Sequence, residues 1–198
     1  MQVIRHRVNS IQELQSVPKE QGCEIDLRTF NQEIILSHDP FQSGTHLTDF
    51  LKSYKGRDST LILNVKEDSL EEAISRICCQ YEVPNYFFTD LTVPALVRLT
   101  SSGVKAAAVR VSDFEPVETA KAFQGKASWV WYDSFSGIAP KSQDIKKLQD
   151  WEFRICLVSP ELHGYDNKVV EKFRKESIGL RPEDAVCTKF PALWGNYQ

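Results

Sequence analysis

No apolar run in this sequence approaches the ~20 residues that a membrane-spanning helix needs, so stable membrane insertion is not expected. No basic excess is present either. Its 24 Lys and Arg stand against 27 Asp and Glu, a net charge of −3, which argues against a dedicated nucleic-acid binder. The first eight residues contain no apolar h-region, so a secretory leader is not expected. The five cysteines are odd in number, and no two have the CxxC spacing of a disulfide framework or a structural zinc site. Cys23, Cys78, Cys156 and Cys187 fall in apolar runs or on apolar helix faces. They read as buried free thiols of a reducing, cytoplasmic environment. A Gly-rich phosphate loop after the first strand is also missing, which weakens a dinucleotide-binding reading.

What is present is alternation. Residues 3–8 read as a first strand. Ser10 to Glu13 then forms a capping box, with Ile11, Leu14 and Val17 on one helical face. Residues 23–27 make a second strand, which 33–37 extend after a turn at Asn31. Helical spacing at Leu47, Phe50, Leu51 and Tyr54 precedes a strand at 61–66, and a capping box at Ser69 to Glu72 opens the next helix. Strands at 86–90, 106–111, 129–133, 153–159 and 185–189 follow. Between them lie helices with Pro94 and Pro116 in their first turns, a helix capped by Ser142, and one from Asn167 to a stop at Gly179. Strands and helices in strict alternation imply a parallel sheet with right-handed crossovers. Eight such units favour closure into a compact (β/α)8 TIM barrel, one domain over 1–198, at the small end for that fold.

Inside the apolar strands, polar residues gather at the C-terminal ends. They are His6 and Arg7, Glu24 and Asp26, His38, Asn64 and Lys66, Asp90, Arg110, Asp133, Ser159 and Glu161, then Thr188 and Lys189. In a barrel these ends converge on one mouth, where barrel enzymes carry their chemistry. Glu24 and Asp26, at i and i+2 of a strand, point to one face, while Cys23, Ile25 and Leu27 take the other. Adjacent carboxylates repel and resist desolvation, and a cation relieves both problems. Taken singly, each residue has a structural reading: a core histidine, a turn residue before Pro40, or a salt bridge of Glu24 or Asp26 with Arg7 or Lys66. His46 and His163 read as solvated, and Trp129, Trp131 and Trp151 as packing aromatics.

In combination, His6-Arg7 after strand one, Glu24-Ile25-Asp26, His38-Asp39, and Asn64-Val65-Lys66 resemble the glycerophosphodiester phosphodiesterase family, among the phosphatidylinositol-specific phospholipase C-like barrels. The resemblance is strongest over residues 3–66. It implies His6 and His38 as general acid and base, and Arg7 and Lys66 as phosphate contacts. It also implies Glu24 and Asp26 as ligands of a divalent metal, Mg²⁺ or Ca²⁺. Two positions depart from the family pattern. Val8 stands where Gly is usual, and Asn64 stands where a third metal-binding Glu is general. An amide oxygen ligates Mg²⁺ or Ca²⁺ but adds no negative charge, so Asn64 as third ligand implies weaker metal binding, with Asp90 as a second source of carboxylate.

The resulting expectation is a metal-dependent phosphoric diester hydrolase of the cytoplasm, acting on a glycerophosphodiester or a similar small polyol phosphodiester by His/His acid–base catalysis. The Asn64 substitution sets an alternative beside it: a non-catalytic barrel that binds a phosphorylated ligand or a protein partner. A sugar-phosphate aldolase, with Lys66 or Lys189 as the Schiff-base lysine, is a third reading.

Overall fold

A computed structural model describes residues 1–195. Eight parallel strands form the barrel wall: β1 (Gln2–Arg5), β2 (Gly22–Phe30), β5 (Leu61–Val65), β6 (Tyr86–Thr89), β7 (Ala108–Ser112), β8 (Trp129–Asp133), β9 (Arg154–Val158) and β10 (Ala185–Thr188). Ladders join β1 to β2, β2 to β5 and β5 to β6 on one side. On the other side they join β7 to β8, β8 to β9, β9 to β10 and β10 back to β1. The seam between β6 and β7 is thin. It consists of one parallel bridge, Phe88 to Ala107, with the Phe88 amide donating to the Ala106 carbonyl at 3.0 Å. The expected barrel is therefore the observed architecture, and every wall strand is among those anticipated.

The pleat sorts the side chains into two cores. Ile4, Ile62, Phe87, Ala108, Trp129, Trp131, Cys156 and Cys187 fill the barrel interior. Cys23, Ile25, Leu27, Leu63, Val109, Val130 and Leu157 face outward onto the helices. At the N-terminal end of the interior, Trp129 stacks on Phe87 at 4.5 Å, and the Arg154 guanidinium lies 4.3 Å from the Trp129 ring centre. A packed floor of this kind leaves the C-terminal mouth as the end at which polar side chains gather. The helices are α1 (Ile11–Ser16), α2 (Leu47–Tyr54), α3 (Glu71–Gln80), α4 (Val93–Ser101), α5 (Glu118–Lys121), α6 (Ser142–Asp150) and α7 (Asn167–Glu176). Among the described residues no helix is long and apolar enough to cross a membrane. All five cysteines are free, with Cys79 alone exposed.

Local expectations fare unevenly. Ser10 caps α1, accepting from the Glu13 amide at 3.2 Å. Ser69 does not cap α3: its backbone is left-handed (φ 78°), its amide donates to the Glu71 carboxylate, and Leu70 takes the cap position. Ser142 is the first residue of α6, not its cap. The helix expected after Pro116 shrinks to the four residues of α5, because the amides of Thr119, Ala120, Phe123 and Gln124 bond three residues back, in the tighter 3₁₀ manner. Residues 33–36 do not prolong β2. They form β3 (Glu33–Leu36), which folds back antiparallel on β2, and β4 (Thr45–His46) pairs with β3 in turn.

Candidate active site at the barrel mouth

The hairpin correction decides where His38 sits. One edge of β2 receives β1 at Gly22 and Cys23, then the Val8 amide on the Glu24 carbonyl (2.8 Å), then the Ser37 amide on the Asp26 carbonyl (3.0 Å). The loops carrying His6 and His38 are thus stacked in succession on the same strand edge, beside the two acids. The Arg28 guanidinium donates to the His38 carbonyl at 2.9 Å and pins that loop. The His38 imidazole is half-exposed, and its Nδ1 lies 2.7 Å from Asp39 Oδ1. The bond from His38 holds the Asp39 carboxyl below its usual range, and it leaves His38 Nε2 as the ring nitrogen available to a ligand.

Glu24 (0 % exposed) and Asp26 (1 %) project inward from β2 as the alternation expects. Burial, and then the Asp26 charge, push the Glu24 carboxyl up to about 7. Burial, followed by the Arg7 cation, pushes His6 down to about 4, so this imidazole is neutral near pH 7. His6 Nε2 lies 3.8 Å from Glu24 Oε2, and its Nδ1 is buried without a hydrogen bond. Arg7 adopts a left-handed backbone (φ 56°), which turns its amide onto Glu24 Oε2 at 2.7 Å. Its Nε is 3.5 Å from Asp26 Oδ2. Val8, in the family's glycine position, is buried among the outer-core residues, so the larger side chain is accommodated by packing.

Lys66 follows β5 and places its ammonium 3.2 Å from Asp26 Oδ1 and 3.4 Å from Asp90 Oδ2. Asp90 in turn pairs with the Arg110 guanidinium. Asn64 donates through Nδ2 to Glu24 Oε1 at 2.8 Å. Asn9, which the sequence did not single out, grips Asp26 twice: its Nδ2 donates to Oδ2 at 2.8 Å, and its Oδ1 accepts the Asp26 amide at 2.9 Å. An asparagine in a loop three residues after a histidine carries no signal beyond that of a turn residue. On the far side of the mouth, His163 is not solvated: its Nε2 lies 2.6 Å from Asp133 Oδ1.

The sequence pattern calls for a divalent ion held by Glu24, Asp26 and Asn64, and the donor set does not fit one. Glu24 Oε1 accepts from Asn64, Oε2 from the Arg7 amide, and Asp26 Oδ2 from Asn9. Asp26 Oδ1 faces the Lys66 ammonium, at ion-pair distance without hydrogen-bond alignment. Asn64 turns its nitrogen toward Glu24, and its Oδ1 is buried without a hydrogen bond. Asp90 is committed to Lys66 and Arg110. Among the described residues no three His, Cys, Asp or Glu side chains converge as a metal-ligating group.

No family profile and no curated protein sequence matches the chain. Solved structures do share its fold. A putative glycerophosphodiester phosphodiesterase from Galdieria sulphuraria superposes with a TM-score of 0.76 at 14% identity, over 99% of this chain and 96% of that one. A phosphodiesterase from Oleispira antarctica, in complex with the product sn-glycerol-3-phosphate, gives 0.73 at 17% identity, over 98% and 96%. A tryptophan synthase α-subunit mutant from Pyrococcus furiosus gives 0.58 at 13% identity, over 98% and 90%. The architecture is that of the TIM barrels, and the fold resembles that of the glycerophosphodiester phosphodiesterases, the family the residue pattern suggested.

Proposed function

We propose that the chain is a phosphoric diester hydrolase that acts on a glycerophosphodiester or a similar small polyol phosphodiester. The observation that carries this reading is the gathering of His6, Arg7, Lys66 and the His38 loop around one buried carboxylate pair at the barrel mouth. A phosphodiester is a monoanion with a poor alkoxide leaving group. Its cleavage needs cations at the phosphoryl oxygens, a base for the attacking hydroxyl and an acid for the departing oxygen. Arg7 and Lys66 supply the cations, and each keeps donor capacity beyond its carboxylate contacts. His6 and His38 supply the proton transfers. As a hydroxyl oxygen bonds to phosphorus, one imidazole takes its proton. The ester P–O bond breaks, and the other ring, entering the reaction as imidazolium, gives its proton to the alcohol that leaves. Glu24 and Asp26 hold Arg7 and Lys66 in place.

The Oleispira enzyme's product complex supports a glycerol-phosphate moiety as the part recognised. The buried thiols fit a reducing compartment such as the cytoplasm. The test is an assay of the purified protein on glycerophosphocholine and glycerophosphoethanolamine. Release of the head-group alcohol and glycerol phosphate is expected in the wild type and lost in His38→Ala. A wild type inert on every phosphodiester offered overturns the reading.

A further inference from the structure

We propose that this barrel neutralises its phosphodiester with the chain's own cations, Arg7 and Lys66, in place of a resident divalent ion, and that Asn64 is the residue that sets this behaviour. The inference rests on the hydrolase reading and departs from the metal dependence that the sequence pattern implies.

The argument starts from charge. Around the buried pair, three carboxylates (Glu24, Asp26 and Asp90) meet three side-chain cations (Arg7, Lys66 and Arg110). Counted with every group ionised, the two signs are equal in number. A dication added to it would raise a like-charge repulsion against an ammonium already 3.2 Å from the carboxylate oxygen it would claim. A glutamate in the place of Asn64 would change that balance by one negative charge and supply two further oxygen ligands. The asparagine instead gives Glu24 a hydrogen-bond donor at 2.8 Å, doing by donation part of what a cation would do for that buried carboxylate.

Geometry points the same way. Three of the four oxygens of Glu24 and Asp26 accept from an amide nitrogen of Asn64, the backbone of Arg7 and the amide of Asn9, and the fourth, Asp26 Oδ1, lies 3.2 Å from the Lys66 ammonium without a hydrogen bond. Seating an ion on the pair would require Asn64 to turn its oxygen inward and Lys66 to leave Asp26. Meanwhile the Lys66 side chain, still 17% exposed, and the Arg7 side chain, 43% exposed, lie where an anion entering the mouth meets them. Lys66 carries three N–H donors and shows two carboxylate partners, which leaves one for a phosphoryl oxygen.

The test combines calorimetric titration of the purified protein with Mg²⁺ and with Ca²⁺ and a phosphodiesterase assay with and without EDTA. The wild type is expected to show no saturable binding up to millimolar metal and an EDTA-insensitive rate. Asn64→Glu is expected to bind either ion at least about tenfold more tightly, because ligand charge tunes such sites. Asn64→Asp, with its shorter side chain, serves as the second variant. Saturable binding of either ion to the wild type at micromolar concentrations, or a rate abolished by EDTA and restored by the ion, overturns the proposal. If the wild type cleaves no phosphodiester, the hydrolase reading falls, and the metal titration still decides whether the pair is closed to ions.

Discussion

Around the mouth lie two buried glutamates: Glu24 on the β1–β2–β5 side and Glu161, in the 3₁₀ turn after β9, on the β9–β10 side. Glu161 accepts from the Ser159 hydroxyl, from the Thr188 hydroxyl at 2.5 Å and from the Lys189 amide at 2.9 Å, and the Trp194 indole donates to Ser159 at 3.0 Å. It ties a turn, a strand end and the last described segment together. Glu24 has a second carboxylate beside it and a neutral histidine 3.8 Å away. Among its neighbours, His6 Nδ1, Asp26 Oδ1 and Asn64 Oδ1 are all buried without a hydrogen bond. One glutamate completes its surroundings, and the other leaves capacity unused. Unused polar capacity in a buried, charged cluster is what a fold tolerates for a ligand, since each orphaned group costs stability.

That contrast is sharpened most by removing a group from the Glu24 side that touches no core. His38→Ala is expected to lower kcat by about 10²- to 10⁴-fold, the usual contribution of a positioned acid or base. The half-exposed ring leaves the thermal midpoint nearly unchanged. A variant with wild-type kcat would show that the two sides do not differ in kind. The reverse experiment is Glu161→Ala. It strands two buried hydroxyls and a partly buried amide and is expected to lose about 3 kcal/mol of unfolding free energy in urea titrations. The kcat of the folded fraction stays near that of the wild type. A loss of activity without a loss of stability would move Glu161 into the chemistry. Next in size is Lys66→Met, which keeps the stem and removes the charge. It is expected to lower kcat/KM by about 10- to 100-fold through weaker stabilisation of the phosphoryl charge. An unaltered kcat/KM would leave the ammonium as a partner of Asp26 and Asp90 alone.

The same contrast explains what the sequence could and could not disclose. The barrel was legible because burial on both faces writes continuous apolar strands, and because eight repeats leave few other closures. Glu24 and Asp26 were legible because charge inside such a strand is conspicuous, and Lys66 because it directly follows an apolar one. Asn9 was not, since an asparagine in a loop looks the same whether it caps a turn or clamps a carboxylate. The turn at Asn31 was legible, but the antiparallel return of residues 33–36 on β2 was not, because a β-strand pattern carries no record of chain direction; the left-handed backbone at Asn31 and Gln32 makes the reversal. Three of the four oxygens of the carboxylate pair accept from donors of the chain, a property of side-chain direction that residue identity does not fix.

His163 tests the comparison at its finest grain. It lies across the mouth, its Nε2 2.6 Å from Asp133, and its ring packs on Phe135 at 4.7 Å between centroids. Burial raises the Asp133 carboxyl above its usual range, and the bond from His163 works against that shift. If the far side of the mouth is structural throughout, His163→Ala removes one such bond and some ring packing. A loss of about 1–2 kcal/mol in unfolding free energy follows, with kcat held within about threefold of the wild type. The alternative is a histidine–aspartate pair that carries protons, and it has its own signature. In that case the rate falls by ten-fold or more on the scale of a general acid or base, while the stability loss is mostly recovered in His163→Gln, whose amide still donates to Asp133. Measuring both variants by urea titration and by initial rate separates a bond that holds the loop from a third imidazole that takes part in the reaction.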